Sequence, residues 1–272
     1  MNRNKLTIVL SLILIAASTV FATGYSTTST SIFAPETINY KVMFKWGLIN
    51  KQAGHATLTL NLGAEGYISQ LTAASEPWAD HIYRVRDTLN GRMTYADFTP
   101  YFYEKIAHEG GENKHDVVNY DYSTPGTVKA NCTRRVIKKG ELKVDEQRQL
   151  EAEDKATDML SSFFLMRRLP YDQWEPGQTY EIDIFSGKRK ELLSIKYHGH
   201  VNLDVEGTKH DTYYITFIFT SKGGKKTSDD MEAWIAADET RLPWRLEGRL
   251  PVGKVHCIYT GNGNIYDKKA KK

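Results

Sequence analysis

Thr157-Asp-Met-Leu-Ser-Ser-Phe-Phe-Leu-Met-Arg-Arg-Leu-Pro170 is the stretch whose reading decides the fold. It is the clearest helical signal in a chain that otherwise reads as strands. Thr157 is placed to cap its start, Asp158 lies at the positive end of the helix dipole, and Arg167 and Arg168 lie at the negative end. Pro170 stops the helix and pushes Leu169 out of helical geometry. Between these ends Met159, Leu160, Phe163, Phe164, Leu165 and Met166 make the segment apolar nearly all round. Such a helix must be enclosed rather than laid on a surface, and this one is far too short to cross a bilayer. The expectation is a helix over 157–169 packed into the concave face of a curved antiparallel sheet.

The segments on either side supply that sheet. Ile38, Tyr40, Val42, Phe44 and Trp46 alternate with Asn39, Lys41, Met43 and Lys45, as in a half-buried strand with an aromatic face. Residues 47–54 read as its turn, and 55–62 and 67–74 as the next two strands of a meander. Residues 77–85 read as a short helix or an irregular crossing. Further strands are expected over 87–95, 101–108, 116–122 and 127–137. Residues 141–154 are strongly charged and lose their periodicity, so they read as an exposed approach to the helix. Beyond it, strands are expected near 180–184, 192–201, 212–220, 231–236, 244–250 and 254–259. About a dozen strands with frequent turns and no strand–helix alternation imply a mainly β fold, an open or half barrel or a sandwich, with one buried helix.

The two ends read differently. Arg3 and Lys5 precede an apolar run over 6–17, followed by Val20-Phe21-Ala22, which is the pattern of a signal peptide over 1–22. An uncleaved anchor is the alternative, for which the run is short. No cysteine sits near the cut, which argues against a lipoprotein. A Ser/Thr-rich leader follows over 23–34, then one domain over 35–261 and a polar, lysine-ended tail over 262–272. The expected product is an exported protein, periplasmic or envelope-associated and soluble, with no transmembrane span after cleavage. The formal charge is +3, and two of the positive charges belong to the signal segment. So near-neutral a chain offers no global argument for nucleic acid or anionic membrane. Cys132 and Cys257 would be able to pair in an oxidising compartment, or are simply small buried hydrophobes.

No motif brings a reaction or a cofactor. Ser161 and Ser162 lie inside the helix, without the strand–turn–helix elbow a serine nucleophile needs. Gly261-Asn-Gly263 does not follow the nucleotide-binding pattern. His198 and His200, two apart on a strand, would share a face and meet one metal if Asp204 or His210 supplied a third ligand; solvated histidines near a turn are the plainer reading. Carboxylates gather at Asp229, Asp230 and Glu232 and at Glu181 and Asp183, where a glycosidase would need two acids across a cleft. Basic pairs at Arg134-Arg135, Lys138-Lys139, Lys188-Arg189-Lys190 and Lys225-Lys226 read mostly as solvated hairpin tips. Arg167 ends a buried helix and needs a carboxylate or aromatic partner, and Arg245 is a similar candidate.

Three pieces carry a resemblance: Tyr40-Lys-Val-Met-Phe-Lys-Trp-Gly47 followed by Gly54-His-Ala-Thr-Leu58, then Asp158-Met-Leu-Ser-Ser-Phe-Phe-Leu-Met-Arg167, then Glu232-Ala-Trp-Ile-Ala-Ala-Asp-Glu-Thr-Arg-Leu-Pro-Trp-Arg245 with Gly253 after it. In order and spacing they resemble the domain of unknown function 3108 family, across nearly the whole mature chain. The resemblance implies an exported, β-rich envelope protein. By analogy of fold alone it implies a curved half-barrel similar to periplasmic lipoprotein carriers. It brings no catalytic residues.

The reading that follows is a non-enzymatic envelope protein that binds an apolar or amphiphilic ligand, or an envelope partner such as a lipid, glycan or protein. The aromatic load at Tyr40, Phe44, Trp46, Trp78, Trp234 and Trp244, with Arg167 and Arg245, marks the candidate binding residues; no catalytic or metal set is expected, and no cofactor. Two alternatives stand beside it. One is a structural or assembly factor that pairs through an exposed sheet edge. The other is a hydrolase acting on envelope glycan.

Overall fold

The computed structural model describes residues 33–221, 230–250 and 253–261. The expected signal peptide and leader to residue 32, the lysine-rich stretch over 222–229, residues 251–252 and the expected tail from 262 lie outside the described residues.

The first half runs β1 (Glu36–Trp46), β2 (Ile49–Leu62), β3 (Tyr67–Ser75), α1 (Pro77–Tyr83), β4 (Val85–Met93), β5 (Pro100–Glu109), β6 (Glu112–Asp121), β7 (Thr127–Lys138) and β8 (Glu141–Glu153). A short β9 (Ala156–Thr157) leads into α2 (Met159–Arg168) and a turn of 3-10 helix over Tyr171–Gln173. The return is β10 (Thr179–Phe185), β11 (Lys190–Val205), β12 (Thr208–Ser221), β13 (Met231–Ala236), β14 (Pro243–Arg249) and β15 (Lys254–Tyr259). All fifteen strands form one sheet in the order β8 to β1, then β15 down to β9. Neighbours are antiparallel except β9 on β10. The chain therefore begins in the middle of its own sheet. It meanders to one edge, crosses the interior as α2, and returns from the other edge until β15 pairs with β1, Tyr40 opposite Tyr259. The sheet curls until its edges nearly meet, and the Arg148 guanidinium on β8 donates to the Lys188 carbonyl at the tip of the β10–β11 hairpin.

The expected mainly β, barrel-like architecture with one buried helix is what forms, and α2 fills its interior. Leu160 and Phe164 pack into the half built from β1 to β8, with Ile38, Leu58, Tyr67, Tyr103 and Val118. Leu165 and Met166 pack into the half built from β10 to β14, with Ile184, Ile195, Ile215 and Phe217. A helix placed between two walls buries opposite faces, which is why its sequence shows no polar stripe.

Four local expectations are corrected. Asp158, not Thr157, caps α2: its Oδ1 accepts from the backbone N–H groups of Leu160 and Ser161, both at 2.8 Å, and its Oδ2 from the Ser161 hydroxyl at 2.9 Å. Thr157 is held in the sheet opposite Ile184 and cannot turn to the helix. Burial pushes the Asp158 carboxyl up to about 6, against the pull of these hydrogen bonds. The charged segment after residue 140 is not an approach but the edge strand β8. Both of its faces are half-wet over most of its length, so no apolar alternation is needed, and its charges discourage pairing with another chain. Arg134 and Arg135 are not at a tip; they sit within β7, opposite Asp116 and Asp145. The turn expected over 47–54 is confined to Gly47 and Leu48, and β2 starts at Ile49.

Candidate functional site

The residues singled out in the sequence fall into four separate places. Arg167 is wholly internal. Its guanidinium grips both oxygens of Glu36, donates to the carbonyls of Thr240 at 2.9 Å and Arg241 at 3.1 Å, and lies 4.5 Å over the Phe33 ring. Every one of these partners is the protein's own, so the arginine ties the end of α2 to the start of β1 and to the β13–β14 turn. Tyr40 and Trp244 belong to an inner aromatic row: the Tyr40 hydroxyl donates to the Pro243 carbonyl at 2.9 Å, and Trp244 meets Tyr259 edge-on and stacks on His210 with centroids 3.7 Å apart. Trp234 stacks on Tyr214 while Arg245 lies 4.4 Å over its ring and pairs with Glu247. Only Phe44 and Trp78 meet at a cavity, and Trp46 stands beyond it at the end of β1.

His198 and His200 do not share a face. The strand bulges between Tyr197 and Gly199. Consequently His198 bonds Thr216 and packs on Tyr214, whereas His200 packs on Tyr213, the adjacent residue, whose side chain points the other way. Among the described residues no cluster of three His, Cys, Asp or Glu is arranged to hold a metal. Cys132 and Cys257 are free thiols on β7 and β15, and burial pushes each up to about 11. Of the suspected carboxylates, Glu232 accepts from the Tyr214 hydroxyl at 3.1 Å, Glu181 from Ser194 at 2.7 Å, and Asp183 pairs with Lys190 at 3.0 Å; Asp229 lies outside the described residues.

The cavity opens where α1 bridges the ends of β3 and β4. Pro77 starts α1 as a proline at the first helical turn can, and Trp78 is anchored by donating its indole N–H to the Gln52 carbonyl at 2.7 Å. Beneath α1 the inner faces of Val42, Phe44, Val85 and Val255 meet Trp78 and Ile82. They line a half-open recess of about 120 Å³ that is apolar almost throughout. A dry cavity of ~150 Å³ holds a benzene ring, so this one takes a single ring or the end of an aliphatic chain rather than a whole lipid.

Next to the apolar cleft lies a charged lining that the sequence reading passed over. Glu109 is directly opposite Val85, and Asp87 follows Val85 on the same face. Lys105, Lys114, Asp116 and Arg134 continue this row across β5, β6 and β7, on the face that also carries Ala107 and Val118. Glu109 is fully enclosed and receives Lys114 at 2.9 Å and Lys105 at 3.5 Å; Asp116 is held by Arg134 at 2.6 Å. The Asp87 and Glu109 carboxyls share a hydrogen bond. Burial, and then the charge of Glu109, push Asp87 up to about 7, with Lys105 opposing.

That displacement has a defined sign. In the unfolded chain Asp87 releases its proton near the ordinary 3.8, while in the folded barrel it holds it to about 7. Its favourable contribution is therefore complete at low pH and is lost as pH rises towards and through 7. At ~1.4 kcal/mol per pK unit the loss is at most roughly 4 kcal/mol. Urea unfolding of the parent is expected to weaken between about pH 4 and 7, and Asp87→Asn, which keeps a donor towards Glu109, is expected to flatten the profile. Parallel profiles for the two proteins would show that the pair titrates normally.

Comparison with known proteins places this architecture. A family model described as "Protein of unknown function (DUF3108)" matches residues 39–257. No curated protein matches the chain significantly. Among solved structures, a β-barrel-like protein of domain of unknown function DUF1849 from Brucella abortus superposes with a TM-score of 0.57 at 8% identity, over 87% of this chain and 100% of that one. At that identity the likeness is one of fold.

Proposed function

We propose that this chain, which belongs to the DUF3108 family, is a non-enzymatic binding protein that takes an apolar group into the cleft beneath α1. The observation that carries the reading is the cleft itself: an apolar recess at the mouth of a filled barrel, walled by Phe44 and Trp78, with polar groups held back in the lining beside it. Its volume suits the aliphatic end or one ring of an amphiphile, whose polar part would remain outside. The protein acts after export, with residues 1–22 removed and 35–261 folding as one domain; the basic, apolar and small-residue pattern of the first 22 residues supports this.

Both alternatives are less well supported. Assembly through a sheet edge would use β8, whose thirteen residues include Glu141, Lys143, Asp145, Glu146 and Arg148, the charges that blunt an edge. Glycan hydrolysis would need carboxyls ~5–9.5 Å apart with a sugar between them, whereas Asp87 and Glu109 bond each other directly.

The test is a calorimetric titration with n-octanol, a neutral probe whose aliphatic end suits the recess. Saturable binding is expected, weakened at least tenfold in Ala79→Phe, which fills the cleft from α1. Ala53→Leu, on the opposite wall, serves if the first variant folds poorly. Unchanged probe affinity in a folded cleft-filled variant would overturn the reading.

A further inference from the structure

We infer that the tip of the β1–β2 hairpin is an anchor for a lipid surface carrying anionic headgroups. The tip reads Lys45-Trp-Gly-Leu-Ile-Asn-Lys51. Its three large apolar side chains are out in solvent: Trp46 is 55% exposed, Ile49 44%, and Leu48 105%, more than in an isolated residue. Leaving one such side chain wet is ordinary, but three within one reversal form a compact apolar point.

The point is built to stay where it is. Gly47 makes the reversal at φ 55°. At the base, Gly253, just before β15, is pressed against β1: a Cβ on it would meet the Lys45 carbonyl oxygen at 2.3 Å and the Trp46 Cβ at 3.0 Å. The aromatic and aliphatic groups therefore project from a supported hairpin.

Its chemistry selects the partner. Lys45 and Lys51 flank the tip, both exposed, and no carboxylate occurs between them. Lys254 lies opposite Lys45 on the next strand and Arg249 opposite Lys254, so the base of the tip is ringed by cations. Two of these are partly engaged, Lys254 at 3.5 Å from Glu247 and Lys51 at 4.6 Å over the Trp78 ring; the nearby acid Glu76 is already met by Gln52 and His55. Apolar residues that reach below a collar of lysines, with tryptophan at the boundary, match the layering of a headgroup region over acyl chains. A protein partner fits less well, because three side chains on one turn cover far less than the ~800 Å² per side of a stable interface.

The tip and the apolar cleft share the same two strands. Phe44 and Gly54 line the cleft, and Ile82, 63% exposed, forms its outer lip on α1. Docking by the tip would therefore bring the cleft mouth to the lipid, although the anchor itself does not depend on the cleft having an occupant.

Vesicle flotation of the full chain tests this, with phosphatidylglycerol–phosphatidylcholine vesicles against phosphatidylcholine alone. Binding is expected to favour the anionic vesicles, to fall at least tenfold in the double variant Leu48→Ser/Ile49→Ser, and to lose its anionic preference in Lys45→Gln/Lys51→Gln, each lysine near such a surface contributing roughly fivefold. These side chains are in solvent, so the urea midpoint should not move. Flotation that the serine variant leaves unchanged, or absence of flotation on anionic vesicles, overturns the proposal. So does a concentration-dependent dimer that Leu48→Ser/Ile49→Ser dissolves in the absence of vesicle binding, which would assign the tip to a second copy. The soluble-probe titration of the cleft involves no vesicle, so either result can fail alone.

Discussion

Replacing Arg167 with alanine is expected to destabilise the fold by about 3–5 kcal/mol, a large part of the margin of an ordinary domain. The size of the effect comes from what is left behind. Arg167 is 1% exposed and Glu36 8%. The guanidinium satisfies both carboxylate oxygens and two backbone carbonyls at once, in a fork geometry that lysine cannot reproduce. Without it, Glu36 is a buried carboxylate with no counter-charge, and the Thr240 and Arg241 carbonyls lose their donors. Removing both charges should be much milder, since a buried ion pair replaced by apolar groups of similar volume is often neutral or stabilising. Urea unfolding of Arg167→Ala, Arg167→Lys, Glu36→Leu and Arg167→Met/Glu36→Leu checks this. The double variant is expected to recover most of the loss. An Arg167→Ala midpoint close to the parent's would mean that the pair is open to water and that the tether between α2 and β1 is weak.

The same arginine shows how far the sequence could be read. That Arg167 needed a carboxylate or an aromatic ring followed from its place at the end of a buried helix, and it has both. The identity of the carboxylate did not follow, because Glu36 is 131 residues away and begins a strand whose pairing with β15 no local pattern announces. The helix itself was legible because burial on all sides leaves only the small Ser161 and Ser162 among the apolar residues from Met159 to Met166. β8 was not, because an edge strand wet on both faces needs no alternation.

The charged lining was illegible for a related reason. Charged side chains on a strand are ordinarily assigned to the solvent face, and Asp87, Lys105, Glu109, Asp116 and Arg134 are scattered over four strands without a shared motif. Only the registers put Glu109 opposite Val85 and Asp116 opposite Arg134, where the charges answer one another inside the barrel. The carboxylates that did cluster in sequence, Glu181, Asp183 and Glu232, are held by ordinary neighbours. Aromatic content was a good guide to the core and a poor guide to the cleft: Tyr40, Trp234 and Trp244 are engaged by other rings or backbone, whereas Phe44 and Trp78 face the cavity together with Tyr83, which the reading had not singled out.

Phe164→Ala tests the organising role given to α2, with an expected cost of about 3–5 kcal/mol. Phe164 has no exposed surface. Its ring stacks on Phe98 at 5.6 Å, Phe98 in turn stacks on Tyr67 at 5.0 Å and lies 5.4 Å from Phe33, and Phe163 closes edge-on at 5.5 Å. The space is framed by the strands of a single continuous sheet, which cannot close on a ring-sized void without changing the curl of the barrel. The cavity term therefore adds to the lost transfer energy rather than relaxing away. Arg168→Ala, one turn further at the rim, is the contrast: Arg168 is only half-buried, donates to the Ala96 carbonyl at 2.6 Å and lies 5.3 Å over Phe98. Loss of that hydrogen bond and that ring contact costs ~1–2 kcal/mol. With a urea slope of ~2 kcal/mol per M, Phe164→Ala should lower the midpoint by roughly 2 M and Arg168→Ala by less than half as much. Equal shifts would mean that α2 is held by its ends. No shift in Phe164→Ala would mean that the sheet closes its core without the helix, and the two clusters that meet on α2 would have to be joined elsewhere.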